Sequence, residues 1–374
     1  MYLAHPYCWI DSAKILFAEE VFMIKESTSL IEELGDQRRK VDFNSYDFSV
    51  KELVSMVEEG IIDIAPEYQR QFRWENARQS KLIESLLLGI PIPNIFMATN
   101  ANGSWEVIDG VQRLTTIIRF MDNNKAKTRA NVKDSLTLKS LEKLPSFNNK
   151  TFLDLPHKIK LDFMLSTLKV TTLTDKSDLN VRFDLFERLN TGGIKLTAQE
   201  IRSCVFRGAF NEFVKRMAQV ENFLIATKLT ERSIKDGTAE EAVLRFFAFL
   251  HNYNNFKYNV TGFLNNYMSI ANKTFDYEKN EKLFKKTFEE LSKLKFGISK
   301  GQSTRHSGFK INFYEGVAVG AALALQEKEK INLSDFYSWI NDESFIASTT
   351  GATNRPKMVQ HRILFCKENF LKNV

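Results

Sequence analysis

The clearest pattern along the chain is a change of apolar period at Gly110. Residues 105–108, Trp-Glu-Val-Ile, place apolar side chains with strand propensity before it. Asp109-Gly110 follows as a turn, because glycine tolerates the positive φ that a tight reversal often needs. From Val111 onward, apolar residues recur at spacings of three and four, which is typical of one face of an amphipathic helix. The pattern therefore predicts a strand, a glycine turn and a helix.

The same comparison of periods predicts an α+β fold class for the first part of the chain and a purely helical second part. Strand and helix patterns alternate up to residue 206, and beyond residue 207 only helical patterns recur. We predict strands over residues 61–64, 94–99, 104–108 and 165–173. We predict helices over residues 48–60, 76–88, 111–121, 178–190 and 197–206, and then over 209–225, 238–253, 260–272, 278–295, 313–327, 333–340 and 356–371.

These patterns divide the chain into three segments. Residues 1–40 form a helical or loose leader, residues 41–207 an α+β domain, and residues 208–374 an all-helical domain. Within the α+β domain, residues 123–160 are more polar and contain two prolines, so we interpret them as an insertion.

The composition indicates a globular protein. Of the 374 residues, 43% are hydrophobic and 31 are phenylalanine, which is ample material for a core. The sequence contains no run of about 18 apolar residues, which a membrane-spanning helix would need. The start of the chain lacks the basic flank of a secretory signal. The 3 cysteines are too scattered for a disulfide framework or a cysteine-rich zinc site. We therefore expect a cytoplasmic protein.

The charge of the chain allows contact with nucleic acid without arguing strongly for it, since the net charge is +6. Two local stretches, residues 293–310 and 355–367, are more basic. Such stretches are usually solvated surfaces, and binding of a DNA backbone is the less frequent interpretation. The candidate DNA-binding residues are Lys300, Arg305, Lys310, Arg355, Lys357 and Arg362.

The residues at the glycine turn are suited to binding an anion. The first turn of a helix has free N–H groups and the positive end of the helix dipole, and Gly110 lets a ligand approach the backbone. Arg113 adds a guanidinium that can bind a phosphate through two N–H groups. Asp109 can hold a metal ion or orient a water molecule, and Gln112 can donate and accept hydrogen bonds. The alternative is structural: Asp109 caps the helix and Arg113 is a solvated surface cation.

A second candidate stretch precedes the predicted helix 76–88. Gln69 and Arg70 lie in a predicted loop, from which Arg70 can bring a second guanidinium to the same site as Arg113. Trp74 either stacks on a base or, as aromatic residues more often do, packs in the core.

A third candidate stretch lies at the end of the helix predicted over 178–190. Arg188 and Asn190 are candidates for contacts with a phosphate or a ribose. Thr197 and Glu200 have the spacing of a capping box, so we interpret them as residues that initiate a helix. Elsewhere, the histidines do not approach metal-ligand spacing, and the chain has no Walker loop or dinucleotide fingerprint.

Together these three stretches resemble the N-terminal, GmrS-like domain of GmrSD-type modification-dependent restriction systems. The resemblance is carried by Tyr68-Gln69-Arg70 with Trp74, by Ile-Asp-Gly-Val-Gln-Arg-Leu-Thr-Thr at 108–116, and by Leu-Asn-Thr-Gly-Gly at 189–193 with Gln199-Glu200. It covers about residues 40–205 well. It implies a ParB/sulfiredoxin-like fold and a domain that binds, and often hydrolyses, a nucleoside triphosphate (NTP) in anti-phage defence.

The resemblance also implies roles for individual residues. The Asp-Gly-Gln-Gln-Arg motif of the family, which is tied to nucleotide turnover, maps onto residues 109–113. Asp109, Gln112 and Arg113 are therefore the expected catalytic residues, and Asp109 is the expected ligand of Mg2+. The expected nucleotide-binding residues are Gln69, Arg70, Trp74, Gly110, Arg113, Thr115, Arg188 and Asn190.

The sequence departs from the family pattern at two points. Val111 stands where the motif has its first Gln. If that Gln aids hydrolysis, this protein binds a nucleotide but cleaves it poorly; alternatively, Val111 simply points into the core. The His-containing nuclease domain of the DNA-cutting members does not follow in this sequence. We therefore expect a sensor or regulatory component that binds nucleotide and DNA while a separate nuclease subunit cuts.

Two other functions stay open at the level of the sequence. The first is a DNA-binding module without nucleotide chemistry. The second is a magnesium-dependent nuclease in which Asp109 shares the metal with Glu67 or Glu200.

Overall fold

The computed structural model describes residues 30–38, 42–64, 74–100, 102–174, 178–189, 196–298 and 309–373. The chain forms two compact units, the first ending at Arg182 and the second beginning at Phe183. This division lies inside a helix, upstream of the boundary that we predicted at residue 207.

The first unit is built on a five-stranded mixed sheet. Its strands are β1 (Phe43–Ser49), β2 (Ile62–Asp63), β3 (Ile95–Thr99), β4 (Trp105–Asp109) and β5 (Thr167–Leu173), in the order β1-β5-β3-β4-β2. The pairs β1–β5 and β3–β4 are antiparallel, whereas β3–β5 and β2–β4 are parallel. The α+β class is confirmed, and β2 to β5 begin and end within two residues of the predicted strands.

Strand β1 was not predicted from the sequence. Its first five residues, Phe-Asn-Ser-Tyr-Asp, are all exposed, so the strand has no buried face on which apolar residues could alternate. It forms because its backbone pairs with β5, from Phe43 opposite Leu173 to Ser49 opposite Thr167. That partner lies more than a hundred residues away in sequence, beyond the reach of a local pattern.

The first unit also contains several helices. They are α1 (Val50–Glu59), α2 (Asn76–Leu87), α3 (Val111–Met121), α4 (Asn124–Arg129), α5 (His157–Leu165) and the start of α6 (Leu179–Leu189), with 3-10 turns at Pro145–Phe147 and Phe152–Asp154. The Ser49 hydroxyl accepts a hydrogen bond from the Glu52 N–H at the start of α1, and Gly60 ends that helix with φ 81°. Residues 30–38, which precede β1, are also helical.

The segment 123–160, which we interpreted as an insertion, packs into the first unit. Leu136 and Leu138 are fully buried. The buried carboxylate of Glu84 accepts hydrogen bonds at 2.9 Å from the N–H groups of residues 143 and 144. The segment therefore contributes to the core. It also leads into α5, which the sequence did not predict because only Phe163 on this helix is buried.

All regular elements in the described part of the second unit are helices, as predicted. After α6 they are α7 (Ala198–Val205), α8 (Ala209–Met217), α9 (Glu221–Thr227), α10 (Glu231–Lys235), α11 (Thr238–Asn252), α12 (Val260–Thr274), α13 (Tyr277–Leu291), α14 (Ile311–Glu327), α15 (Phe336–Trp339), α16 (Glu343–Thr349) and α17 (Pro356–Leu371), with a 3-10 turn at Tyr253–Asn255. The short helices α10 and α16 were not predicted. None of the described helices is long and apolar enough to span a bilayer.

Helices α14 and α17 pack closely in the core of the second unit. A Cβ atom placed on Gly320 would lie 2.6 Å from the Cβ of Cys366 and 2.9 Å from the Ile363 carbonyl oxygen. Gly316, one turn earlier on α14, also faces the backbone of α17. A Cβ atom there would lie 3.1 Å from the Arg362 carbonyl oxygen. The two glycines thus let the helix backbones approach each other.

Candidate functional site

The predicted strand–glycine–helix junction is present. Strand β4 ends at Asp109, Gly110 adopts φ 101° and ψ 8°, and α3 begins at Val111. The Gly110 carbonyl accepts the first intrahelical hydrogen bond, from the Leu114 N–H at 2.9 Å. Gly110 has no side chain with which to cap the helix, and the first turn contains no acidic residue. The positive end of the α3 dipole therefore has no side-chain cap from its own N-cap residue.

Arg113 folds back across the first turn of α3 onto Asp109. Its Nη2 lies 2.6 Å from the Asp109 Oδ2 and also donates to the Asn94 carbonyl oxygen at 3.1 Å. The Arg113 side chain is 13% exposed and that of Asp109 is 37% exposed. The structural alternative from the sequence is therefore wrong in detail, because Arg113 is not a solvated surface cation and Asp109 binds Arg113 instead of capping the helix.

A hydrogen bond of Gln112 connects the start of α3 to the segment that precedes α2. Its Oε1 accepts a hydrogen bond from the Trp74 N–H at 3.3 Å. The Trp74 carbonyl in turn accepts one from the Gln79 Nε2 at 2.7 Å, and the Gln79 Oε1 accepts one from Arg119. Residues from two helices thus hold the backbone of Trp74 beside the junction. Sequence reasoning missed Gln79 and Arg119.

Comparison with known families identifies this part of the chain. Residues 50–207 match the family model described as the N-terminal domain of the GmrSD restriction endonuclease. Residues 50–207 are similar to a GmrSD N-terminal domain. The matched range contains the whole junction, and the match to this family supports a role in a restriction system. No curated protein and no solved structure matches the chain significantly, so the ParB/sulfiredoxin-like fold stays a prediction.

Val111 and Thr115, two residues of the stretch 108–116, are buried. Val111 is 8% exposed, so its side chain packs against the core. This is the second of the two interpretations that we gave for Val111 in place of the family's Gln. Thr115 is 2% exposed. Its predicted contact with a nucleotide is corrected to core packing, because Thr115 lies among the buried residues of α3.

Several predicted residues lie outside the described residues. They are Glu67, Gln69, Arg70, Asn190, Lys300 and Arg305. Arg188 is exposed on α6, in the second unit. The predicted convergence of Arg70 and Arg113 on one pocket therefore stays a prediction.

The capping box predicted at the start of α7 is confirmed. The Thr197 hydroxyl accepts a hydrogen bond from the Glu200 N–H at 3.2 Å, and the Glu200 Oε2 accepts one from the Thr197 N–H at 2.7 Å. Glu200 thus has a structural role, which argues against it as a metal ligand. Among the residues that the structure describes, no group of three or more His, Cys, Asp or Glu side chains could hold a metal ion.

The basic residues predicted to bind DNA differ in their exposure. Lys310, Arg355 and Lys357 are exposed. Arg362 is fully buried, forms an ion pair with Glu315 and donates to the Thr353 carbonyl oxygen at 2.6 Å. Its predicted role in DNA binding is therefore corrected to an internal ion pair. The helical period indicated this position, because buried Val359 and Cys366 lie three residues before and four residues after it.

Proposed function

We propose that this protein is a nucleotide-binding sensor or regulatory component of a restriction system, with the phosphates bound at the Gly110 junction. The observation that carries the proposal is the guanidinium of Arg113 held against the N-terminus of α3. Backbone N–H groups and a fixed guanidinium together form the usual environment for a phosphate in proteins.

Glycine at position 110 supports this use of the junction. A Cβ atom there would lie 3.1 Å from the Ile95 Cγ1 and 3.2 Å from the Arg113 Nη2, and the φ of 101° is one that other residues rarely adopt. Glycine therefore allows both the turn and the close approach of the guanidinium to the backbone. The same opening lets a phosphate approach the first turn of the helix.

The proposal favours binding over fast hydrolysis. Val111 is buried where the family motif has a Gln, so that position supplies no polar group to orient water. Arg113 binds the Oδ2 atom of Asp109, which leaves Oδ1 as the oxygen to hold a Mg2+ ion that arrives with the phosphates. Cleavage of DNA would then belong to a separate nuclease subunit that responds to the nucleotide state.

A thermal-shift panel of ATP, GTP, CTP and UTP, each with and without magnesium, tests the proposal on the full chain. A ligand that binds the native state raises the melting temperature by mass action, so at least one NTP should stabilise the wild type. Arg113→Lys keeps a cation beside Asp109 but loses the planar fork, and we expect its affinity for that NTP to fall about tenfold.

Arg129→Lys is the matched control. Arg129 is an arginine of the same unit whose Nε donates to the Glu58 carbonyl oxygen, away from the junction. We expect its variant to bind the NTP as the wild type does. Absence of any stabilisation by all four NTPs in the wild type would reject the proposed function.

We further propose that the second unit contacts DNA, a partner that the restriction family suggests. The supporting observation is the exposure of Lys310, Arg355 and Lys357. Binding to a duplex should weaken with rising salt, and the slope of log K against log salt should fall by about one for each phosphate contact that is removed. The triple variant to Gln, compared with wild type by fluorescence anisotropy, tests this; an unchanged slope would contradict it.

A further inference from the structure

The Gly110 junction carries almost no net charge in the part of the chain that the structure describes. The charge of Arg113 is balanced by Asp109 at 2.6 Å. A triphosphate carries several negative charges, and opposite charges nearby stabilise it only if they are not already neutralised. If phosphates bind at this junction, as proposed above, a further cation is needed there.

Arg78 is a cation of this kind. Its guanidinium carbon lies 4.5 Å from the centre of the Trp74 ring, in a cation–π contact. Arg78 is exposed, and it forms no ion pair with any described carboxylate, Glu75 included. Its charge is therefore available to a ligand. The spacing of four residues between Trp74 and Arg78 was the only sign of this contact in the sequence.

The backbone of Trp74 is held at both of its polar groups. Its N–H donates to the Gln112 Oε1 at 3.3 Å, and its carbonyl accepts from the Gln79 Nε2 at 2.7 Å. Gln79 is only 1% exposed, and its other polar atom is bound by Arg119 at 3.1 Å. Buried amide groups with both atoms satisfied fix the geometry of the residues that they contact.

Two contacts thus connect the Gly110 junction to a cation that no described carboxylate neutralises. Gln112, two residues after Gly110, accepts a hydrogen bond from the Trp74 N–H, and the Trp74 ring contacts the Arg78 guanidinium. A guanidinium that is already stacked on an aromatic ring loses less side-chain entropy when it binds a phosphate. Such support of a ligand-contacting side chain by buried neighbours is how binding sites are preorganised.

We propose that Arg78 is a phosphate-binding residue of the Gly110 site and that Gln112 acts as its positioning residue, through Trp74. Gln112 was predicted as a catalytic residue; in this proposal it touches neither the nucleotide nor the reacting atoms. The inference rests on the proposed function and adds to it the cation that offsets the charge of the triphosphate.

The test compares Arg78→Gln with Lys81→Gln in the full chain. Lys81 is an exposed cation on the same helix, one turn further on, so both variants lose one surface charge. Calorimetric titration with inorganic tripolyphosphate, and with ATP and GTP in the presence of magnesium, should give a dissociation constant at least fivefold higher for Arg78→Gln. The constant for Lys81→Gln should stay within twofold of wild type.

The role of Gln112 is tested by a double-mutant cycle. If Gln112 acts through Arg78, Gln112→Ala should weaken tripolyphosphate binding in the wild-type background and have little further effect in Arg78→Gln. Equal and additive losses would overturn the positioning role.

The outcomes separate this inference from the proposed function. Wild-type binding that Arg78→Gln leaves unchanged would overturn the inference alone. A wild type that binds none of these ligands would overturn the proposed function and this inference with it.

Discussion

The guanidinium of Arg362 is bound to the carboxylate of Glu315 inside the second unit, where neither side chain is more than 1% exposed. The other carboxylate oxygen of Glu315 lies 2.6 Å from Arg245, which also pairs with Glu241. Glu241 in turn lies 3.4 Å from Arg202. Charged side chains of alternating sign thus link α7, α11, α14 and α17. The charge of each of these side chains is balanced by the oppositely charged side chains next to it.

Replacement of Arg362 should destabilise the second unit strongly. Arg362→Met removes one partner of a buried ion pair and leaves part of the Glu315 charge uncompensated, which should lower the free energy of unfolding by about 3 kcal/mol or more. Urea denaturation measures this difference. Lys357→Met, on the exposed side of the same helix, is the control and should change stability by no more than about 0.5 kcal/mol. Similar stability of the two variants would show that the ion pair contributes little.

Replacement of Gly320 should separate α14 from α17. The Cβ of Gly320→Ala would lie 2.6 Å from the Cβ of Cys366 and 2.9 Å from two backbone atoms of α17, none of which can move alone. Overpacking of this kind costs about 1–3 kcal/mol. Gly262→Ala on α12 is the matched control, because the atoms nearest to its Cβ belong to the Asn259 side chain and the closest lies at 3.2 Å. We expect a lower melting temperature for Gly320→Ala alone; a drop of equal size in both variants would refute the steric explanation.

The Asp109–Arg113 pair should govern the magnesium dependence of nucleotide binding. In Asp109→Asn the charge of Arg113 is no longer balanced, so tripolyphosphate should bind more tightly without magnesium and gain less when magnesium is added. Asp47→Asn, an exposed residue on β1 of the same unit, controls for the loss of one negative charge. Titrations with and without magnesium give the ratio of affinities. An unchanged ratio in Asp109→Asn would exclude Asp109 as the carboxylate that holds the metal.

His251 should make the stability of the second unit depend on pH. Burial lowers the pKa of His251, although a hydrogen bond with the Asn280 side chain opposes this shift. The other ring nitrogen, Nδ1, lies 2.7 Å from the Tyr267 hydroxyl, whose own pKa is raised by burial. The hydroxyl therefore stays protonated and donates to a neutral imidazole.

The sign of the effect follows from the lowered pKa. The native state binds a proton less readily than the unfolded state, so the stabilisation is complete above the unfolded pKa of roughly 6.5 and is lost as the pH falls below it. The melting temperature of wild type should therefore drop more between pH 7.5 and pH 5.5 than that of His251→Gln. Parallel curves for the two proteins would mean that folding does not lower the pKa of His251.

Much of the fold followed from local patterns. The apolar periods predicted α1 to α3 and the strands β2 to β5 because each depends on which side of a short segment faces the core. Strand β1 could not be predicted in this way, since its exposed residues form no such face and its partner is distant in sequence. The same holds for the candidate site. Asp109, Gly110 and Arg113 belong to one local motif that the sequence shows, whereas Arg78 could be proposed as a site residue only from the position of Trp74 in the structure.

The sequence by itself determined the elements whose stabilising contacts lie within a few residues. The glycine turn before α3, the capping box at Thr197 and the return of Arg113 onto Asp109 span no more than four positions, so backbone preferences and side-chain reach suffice to specify them. The tertiary structure decided which charged groups are buried and which residues meet across long loops. Arg362 is internal because α14 presents Glu315 to it, and Trp74 lies at the junction because Gln112 receives its N–H. These contacts exist only once distant segments have packed together, since their free energy depends on burial and not on local spacing.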